Sequence, residues 1–223
     1  MKVLDKGHIR LVRHLASDDY IVQAARVSYG KGTKTKLEDN KLIGYLLRNE
    51  HGTPFEMCSF VFHVKCPIFV ARQWFRHRSG SFNEISARYS EMENEFYVPE
   101  LNRIQGQSPK NKQCSGDALS EADQLIAQKL ISSANKKVYR DYKKLLKLGV
   151  ARELARTILP VSLYTEFYWG IDLRNLLKFI ELRSHPHAQP EIQEYAKAIK
   201  EIIKDIVPVT IESYDTRASN QKN

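Results

Sequence analysis

The stretch Arg76-His77-Arg78-Ser79-Gly80-Ser81-Phe82-Asn83-Glu84-Ile85-Ser86-Ala87-Arg88-Tyr89 holds three arginines, a histidine, three serines, an asparagine and a single acid in fourteen residues. Its composition is that of an anion cradle. The chain has more lysine than arginine, yet no lysine occurs from Cys66 to Pro109, so arginine here is a local choice rather than a consequence of overall basicity. A guanidinium offers a planar, permanently charged fork that meets phosphate, carboxylate or a pyrimidine edge at two points, which an ammonium does not. Taken by itself, the stretch also fits a solvated basic loop.

Upstream of it, Phe60, Phe62 and Val64 alternate with Val61, His63 and Lys65, the period of a strand with one buried face. Pro67 suits the first turn of a helix, and Ile68 to His77 is apolar nearly all round, which predicts a buried helix. Phe69, Arg72, Gln73 and Arg76 share one sector of it, so charged groups project from a helix with no other solvent face. Buried arginines need partners, and a ligand is one candidate. Further back, residues 8–16 read as an opening strand. Asp18 or Asp19 caps a helix carrying Ile21, Ala24, Ala25 and Val27 that stops near Tyr29-Gly30. A polar, Lys-rich loop follows, then a short helix from Glu38 to Asn49, and then His51 to Glu56 as a turn.

Downstream, residues 103–116 are polar and read as a surface insertion. Ser120 and Asp123 resemble a capping box that opens a helix to about Leu148, stopped by Gly149, with Lys136, Lys137, Lys143, Lys144 and Lys147 as its solvated face. Ala151 to Leu159 is helical, with Arg152 and Arg156 one turn apart beside Leu154, Ala155 and Ile158. No element is predicted between Pro160 and Asp172. Asp172 caps a helix whose apolar stripe is Leu173, Leu176, Leu177 and Ile180; Arg183 continues on that side, while Arg174 and Lys178 point elsewhere. An arginine on an apolar stripe requires either a structural ion pair or a ligand. Pro190 begins the last amphipathic helix, and residues 206–223 form a tail.

At 223 residues and 42% hydrophobic, the chain is expected to be a single domain spanning 1–223 with a core of its own. A net charge of +9 and a pI near 9.4 favour anionic partners, among them nucleotides, nucleic acid and polyanionic cofactors. Three cysteines without ligand spacing, no signal peptide and no apolar run near the roughly 20 residues of a membrane span suggest a soluble cytoplasmic protein. The histidines are scattered and no metal site is expected. No cysteine lies in an evident electropositive setting, except Cys66 just before the buried helix, and Ser86 lacks a nucleophile elbow. Without a glycine-rich phosphate loop, any nucleotide must be held by side chains.

The pattern Arg76-His77-Arg78-x-x-Ser81-x-x-x-x-Ser86-x-Arg88 resembles the signature of the flavin-dependent thymidylate synthases, and Asn83, Glu84 and Tyr89 also fall where that family often has them. The likeness extends, in family order, over Ala25-Arg26-Val27-Ser28, His51-x-Thr53-Pro54-Phe55-Glu56, Arg72-Gln73-Trp74, Ala155-Arg156-x-x-Leu159-Pro160 and Leu182-Arg183 through His187-Ala188. It implies an α+β fold peculiar to the family, mixed helices with a small antiparallel sheet, assembled as a homotetramer with shared active sites. It also implies FAD as cofactor, dUMP as substrate, methylenetetrahydrofolate as carbon donor and NADPH as reductant, with hydride delivered by the flavin and no enzyme nucleophile. By the same resemblance, Gln73, Arg76, Glu84, Ser86, Ala87, Arg88, Arg156 and Arg183 would contact dUMP, with Arg183 stabilising charge on the uracil. Thr53, Arg76, His77, Arg78, Glu84, Asp172, Arg174 and Lys178 would line the FAD site, and His51 and Tyr89 the flavin and folate vicinity. Lys178 and Asp172 stand where the family has asparagine, and Ala87 where glycine is frequent. The rival expectation is a nucleic-acid-binding protein, against which stand the dispersed charge and the lack of lysine in the richest segment.

Overall fold

The computed structural model describes residues 1–27 and 36–220. The helix stop expected near Tyr29-Gly30, the Ser28 position and most of the Lys-rich loop lie outside the described residues. The strands are β1 (Lys2–Val3), β2 (Gly7–Leu15), β3 (Ser59–Pro67), β4 (Ser81–Glu84), β5 (Gln105–Gln107), β6 (Ser115–Ala118) and β7 (Tyr164–Asp172). The helices are α1 (Asp18–Arg26), α2 (Lys36–Arg48), α3 (Thr53–Glu56), α4 (Ile68–Trp74), α5 (Glu121–Lys147), α6 (Arg152–Ala155), α7 (Leu173–Arg183), α8 (Pro190–Lys204) and α9 (Pro208–Asn220). The fold is α+β. Its main sheet has the order β1-β2-β3-β7-β4, antiparallel throughout, and β5 pairs with β6 in a separate hairpin.

The alternation at Phe60, Phe62 and Val64 buries all three on the helix-covered face of β3, joined by Phe167, Trp169 and Ile171 from β7. Strand β7 pairs along its whole length with β3, from Ser59 opposite Asp172 to Pro67 opposite Tyr164, and also accepts the short β4. It is an interior strand of the sheet, in a span where the sequence pattern predicts no element. Trp74 of α4 sits at the centre of this core, with ring centroids 5.5 Å from Phe167, 5.2 Å from Trp169, 4.9 Å from Phe179 of α7 and 5.6 Å from Tyr195 of α8. A second, smaller cluster gathers Met92, Phe96, Tyr142, Ala155 and Leu163, with Ala87 packed against it.

Several local expectations change in three dimensions. Ser17, not Asp18 or Asp19, caps α1, its Oγ accepting from Tyr20 N at 3.0 Å. Asp18 instead caps α9, accepting from Val209 N at 2.8 Å and from Thr210 N at 3.1 Å. Thus the segment read as a tail holds a helix whose N-terminus is tied to α1 and whose Ile211 is buried; α8 is not the last helix. The turn at His51 to Glu56 contains the one-turn helix α3, because Pro54 is compatible with a first helical turn. Helix α4 ends at Trp74 rather than His77 and its Arg72 is exposed, so α4 has a polar side after all, and Arg76 is exposed beyond the helix end. Leu154 beside Arg152 and Arg156 is likewise 62% exposed, so only Ala155 of that trio enters the core. Residues 103–116 contain β5 and the start of β6, and Arg103 pairs at 2.8 Å with Glu191, a nearly buried acid of α8.

Candidate active site

The sharp connection between α4 and β4 is what places the arginine stretch. A Cβ on Gly80 would lie 2.9 Å from the Gly170 carbonyl oxygen and 2.5 Å from Trp169 Nε1, so only glycine lets β4 begin this close to β7. With β4 docked, residues 76–79 lie against the junction where β7 runs straight into α7. Asp172 makes that junction, its Oδ1 accepting from Asn175 N at 2.9 Å as the N-cap of α7 and its Oδ2 accepting from Asn175 Nδ2 at 2.7 Å.

The result is a groove of about 520 Å³ lined by Arg76, His77, Arg78, Ser79, Ile171, Asn175, Lys178, Leu182 and Arg183. None of these is an acid. Four permanent or near-permanent cations thus converge on a space that no carboxylate among its lining residues neutralises, and such a surface favours an anion. Arg183 and Lys178 meet here although the helical wheel sets them apart. Arg183 is the last residue of α7, and its guanidinium is hydrogen-bonded to the segment opposite. Its Nε donates to His77 Nε2 at 2.8 Å and its Nη2 donates to the Gln73 carbonyl oxygen at 3.0 Å. The apolar stripe therefore needs no buried ion pair at Arg183, which is half-buried at the groove wall. Partial burial lowers the Arg183 pKa from its ordinary value without an acid to offset it. Burial, with Arg183 and Lys178 beside it, pushes His77 down to about 4.

Two further cavities adjoin across the face of α7. One of about 340 Å³ shares Asn175 and Lys178 with the groove and adds His51, Gly52, Arg174, Tyr214 and Arg217. The other, about 1150 Å³, shares His51, Gly52 and Arg174 with the second and is walled by Tyr20, Leu42, Tyr45, Thr53, Pro54 and Met57. Arg174 is ion-paired with Glu56. Asn175, Tyr214 and Arg217 were not anticipated. Asn175 could have been found from its place one turn after Asp172 and before Lys178, whereas nothing local marks Tyr214 and Arg217, which reach the cavity only because α9 packs on α2.

The other half of the arginine stretch goes elsewhere. Four residues of β4, ~13 Å of strand, separate the groove from Ser86, Ala87 and Arg88. Glu84 accepts from Thr165 Oγ1 at 2.6 Å, Ser86 Oγ accepts from Arg88 N at 3.3 Å, and Arg88 lies 3.4 Å from Glu153 of α6. Ala87 packs on the second cluster, Arg156 is exposed, and Tyr89 is 78% exposed. Gln73 meets the groove through its carbonyl, which accepts from Arg183, while its side-chain Nε2 donates to Gln189 Oε1. One protomer therefore gathers Arg76, His77, Arg78, Lys178 and Arg183, but leaves Glu84, Ser86, Arg88 and Arg156 on a separate patch.

Neither core cysteine is poised for attack. Cys66, which precedes α4, has its thiol pushed up by burial and by Glu84, and Cys58 is raised by burial. The setting of Cys66 is apolar, not electropositive. On the uncovered sheet face, His8, His63 and Glu166 bring ligand-type atoms within 4.8 Å of one another, yet Lys65 Nζ lies 3.3 Å from Glu166 and Arg10 lies 3.4 Å from His63. Those cations already answer the group.

The family profile described as "Thymidylate synthase complementing protein" matches residues 10–209. The flavin-dependent thymidylate synthase of Thermus thermophilus is 54% identical over 96% of this chain and 77% of its own length. That of Thermosipho melanesiensis is 53% identical over 96% of this chain and 92% of its own. This chain belongs to the flavin-dependent thymidylate synthase family. Among solved structures, the UMP/dUMP methylase PolB of Streptomyces cacaoi, bound with 5-Br UMP, superposes with a TM-score of 0.87 at 35% identity, covering 96% of each chain. The arginine stretch lies within the span that the family profile matches, and in this fold it supplies four of the lining residues of a cationic groove. Among the described residues, no helix is long and apolar enough to cross a membrane.

Proposed function

We propose that the chain catalyses the reductive methylation of dUMP to dTMP, with methylenetetrahydrofolate as carbon donor, FAD as bound cofactor and NADPH as its reductant. The observation that carries this is the acid-free groove in which Arg76, Arg78, Lys178 and Arg183 converge. A flavin dinucleotide fits the residues present: Arg76, Arg78 and Lys178 offer charge to its diphosphate, and the cavity at Thr53, His51 and Arg174, joined to the groove through the smaller cavity between them, has the apolar walls a ring system needs. When bound, FAD supplies the hydride.

The chain's own residues have the remaining work. Arg183 presents a fixed positive charge to the uracil N3 and O2 side, where negative charge develops as the ring is activated. Gln73 approaches from α4 and Arg76 from the segment that follows it. Glu84, Ser86, Ala87, Arg88 and Arg156 recognise the nucleotide from the second patch, Ser86 and Arg88 being suited to phosphate by hydroxyl and guanidinium. Arg174 reaches a flavin phosphate by exchanging its Glu56 partner, and Asp172 acts through its cap on α7 rather than directly. His51 and Tyr89 belong to the flavin and folate vicinity. Because the two patches of one protomer are apart, a complete site is built between copies, in a homotetramer. We read the chain as one cytoplasmic domain that binds neither nucleic acid nor membrane.

The direct test is dTMP formation from dUMP and methylenetetrahydrofolate with FAD and NADPH, omitting each in turn. With flavin-stripped protein, product is expected only with all four; turnover by the stripped protein without FAD, or a colourless protein that takes up no flavin, would refute the reading. A further expectation concerns the thiols. Cys66→Ala, which keeps a small apolar side chain in a fully buried position, is expected to retain turnover within about threefold at a stability cost of about 1–2 kcal/mol. A folded, flavin-loaded but inactive variant would restore a cysteine nucleophile.

A further inference from the structure

The proposed role of Arg183 requires its guanidinium to hold one orientation, and the fold shows what provides it. Arg183 ends α7, and it uses Nε and one Nη2 hydrogen on two acceptors from the segment opposite. The Gln73 carbonyl is backbone and cannot vary. The other acceptor is the ring of His77, itself fixed edge-on against Phe179 of α7 at 4.8 Å between ring centroids and by its own backbone N–H to the Trp74 carbonyl at 3.0 Å.

We propose that His77 is a positioning residue for Arg183: its unprotonated Nε2 accepts from Arg183 Nε and, together with the Gln73 carbonyl, turns the guanidinium so that Nη1 and the second Nη2 hydrogen face the groove. The inference rests on the reading of Arg183 given above and extends it to a residue that would otherwise serve only the flavin. It also fixes the tautomer, since a ring whose Nε2 accepts carries its proton on Nδ1. The charged groups that share the groove with His77 are Arg183 and Lys178 from α7 and Arg76 and Arg78 from its own segment, all cationic, with no acid among the lining residues. Partial burial, and after it Arg183 and Lys178, keep the ring neutral down to about pH 4. The Arg183 contact is therefore intact at neutral pH and lost only as pH falls through that value, when a protonated ring becomes a second donor facing a donor.

The test joins a variant pair to a spectroscopic one. Gln at position 77 offers an acceptor near the place of Nε2; Leu has the bulk without it. At equal flavin occupancy, judged by absorbance, and saturating dUMP, His77→Leu is expected to lower turnover about 10–100-fold, and His77→Gln to recover most of that loss, with dUMP affinity changing less than turnover in both. In parallel, ring-nitrogen NMR of the flavin-loaded wild type should show His77 as the Nδ1–H tautomer with no titration above about pH 5. Equal losses in the two variants, or a His77 that is protonated on Nε2 at pH 7, would overturn the proposal. A wild type with the expected tautomer that makes no dTMP would instead overturn the reading of Arg183 and leave the His77–Arg183 pair standing.

Discussion

Arg183→Ala is expected to reduce dTMP formation by at least about 10²–10³-fold while leaving the fold and most of the flavin binding in place. The size of the effect follows from the groove. Arg183 is half-buried, its charge is not neutralised by any acid among the lining residues, and two fixed acceptors orient it, so its field is concentrated on whatever anion the groove takes. The fold survives because the side chain contributes no buried apolar contact at the centre of the core. Arg183→Lys should rescue little, since an ammonium cannot donate to His77 and Gln73 and still present a fork to the pyrimidine. Turnover, flavin absorbance and a melting curve measured on the same preparation decide the matter. Near-normal turnover in the alanine variant would take Arg183 out of the chemistry altogether.

The second large effect lies beneath the site. Trp74 is fully buried and touches rings from β7, α7 and α8 at once, so Trp74→Ala is expected to cost about 3–5 kcal/mol, read as a lower urea midpoint. It should also weaken dUMP binding, because α4 carries Gln73 and leads into Arg76 and His77. The control is Trp74→Phe. The Trp74 indole Nε1 is buried and finds no hydrogen-bond partner among the described residues, so phenylalanine removes an unsatisfied donor along with part of the ring, and the loss should stay below about 1.5 kcal/mol. If the alanine variant lost less than 1 kcal/mol on the order-of-magnitude scale for such truncations, the aromatic cluster would not be the element that holds α4 on the sheet.

Both experiments concern features that were unequally visible in the sequence. Trp74 sits in a helix whose all-round apolarity already indicated burial, but the strand it packs against was missed. Phe167, Trp169 and Ile171 do alternate, yet Tyr164, Thr165, Tyr168 and Gly170 fill the gaps with residues that suit either environment, so no clean period of two stands out between Pro160 and Asp172. Asp18 shows a different kind of failure. Its position beside an apolar run was read correctly as a cap, but for the wrong helix: Ser17 serves α1, and Asp18 reaches α9, nearly two hundred residues away in sequence. A local rule names the residue type a helix end needs and says nothing about which helix will supply the end.

The arginine stretch divides along the same line. Sequence by itself determined its chemistry, an arginine-based cradle in a chain of the flavin-dependent thymidylate synthase family, because residue type, charge and fixed spacing are local properties. It also determined that Arg183 on an apolar stripe called for an explanation. Only the tertiary structure decided that Arg76, His77 and Arg78 meet Lys178 and Arg183 in one groove, that His77 is the acceptor holding Arg183, and that Ser86 and Arg88 face a different patch beyond β4. The reason is physical: those encounters depend on where β7 hands over to α7 and on how closely glycine lets β4 approach it, and both are set by packing between segments some ninety residues apart, to which no periodicity within either segment is sensitive.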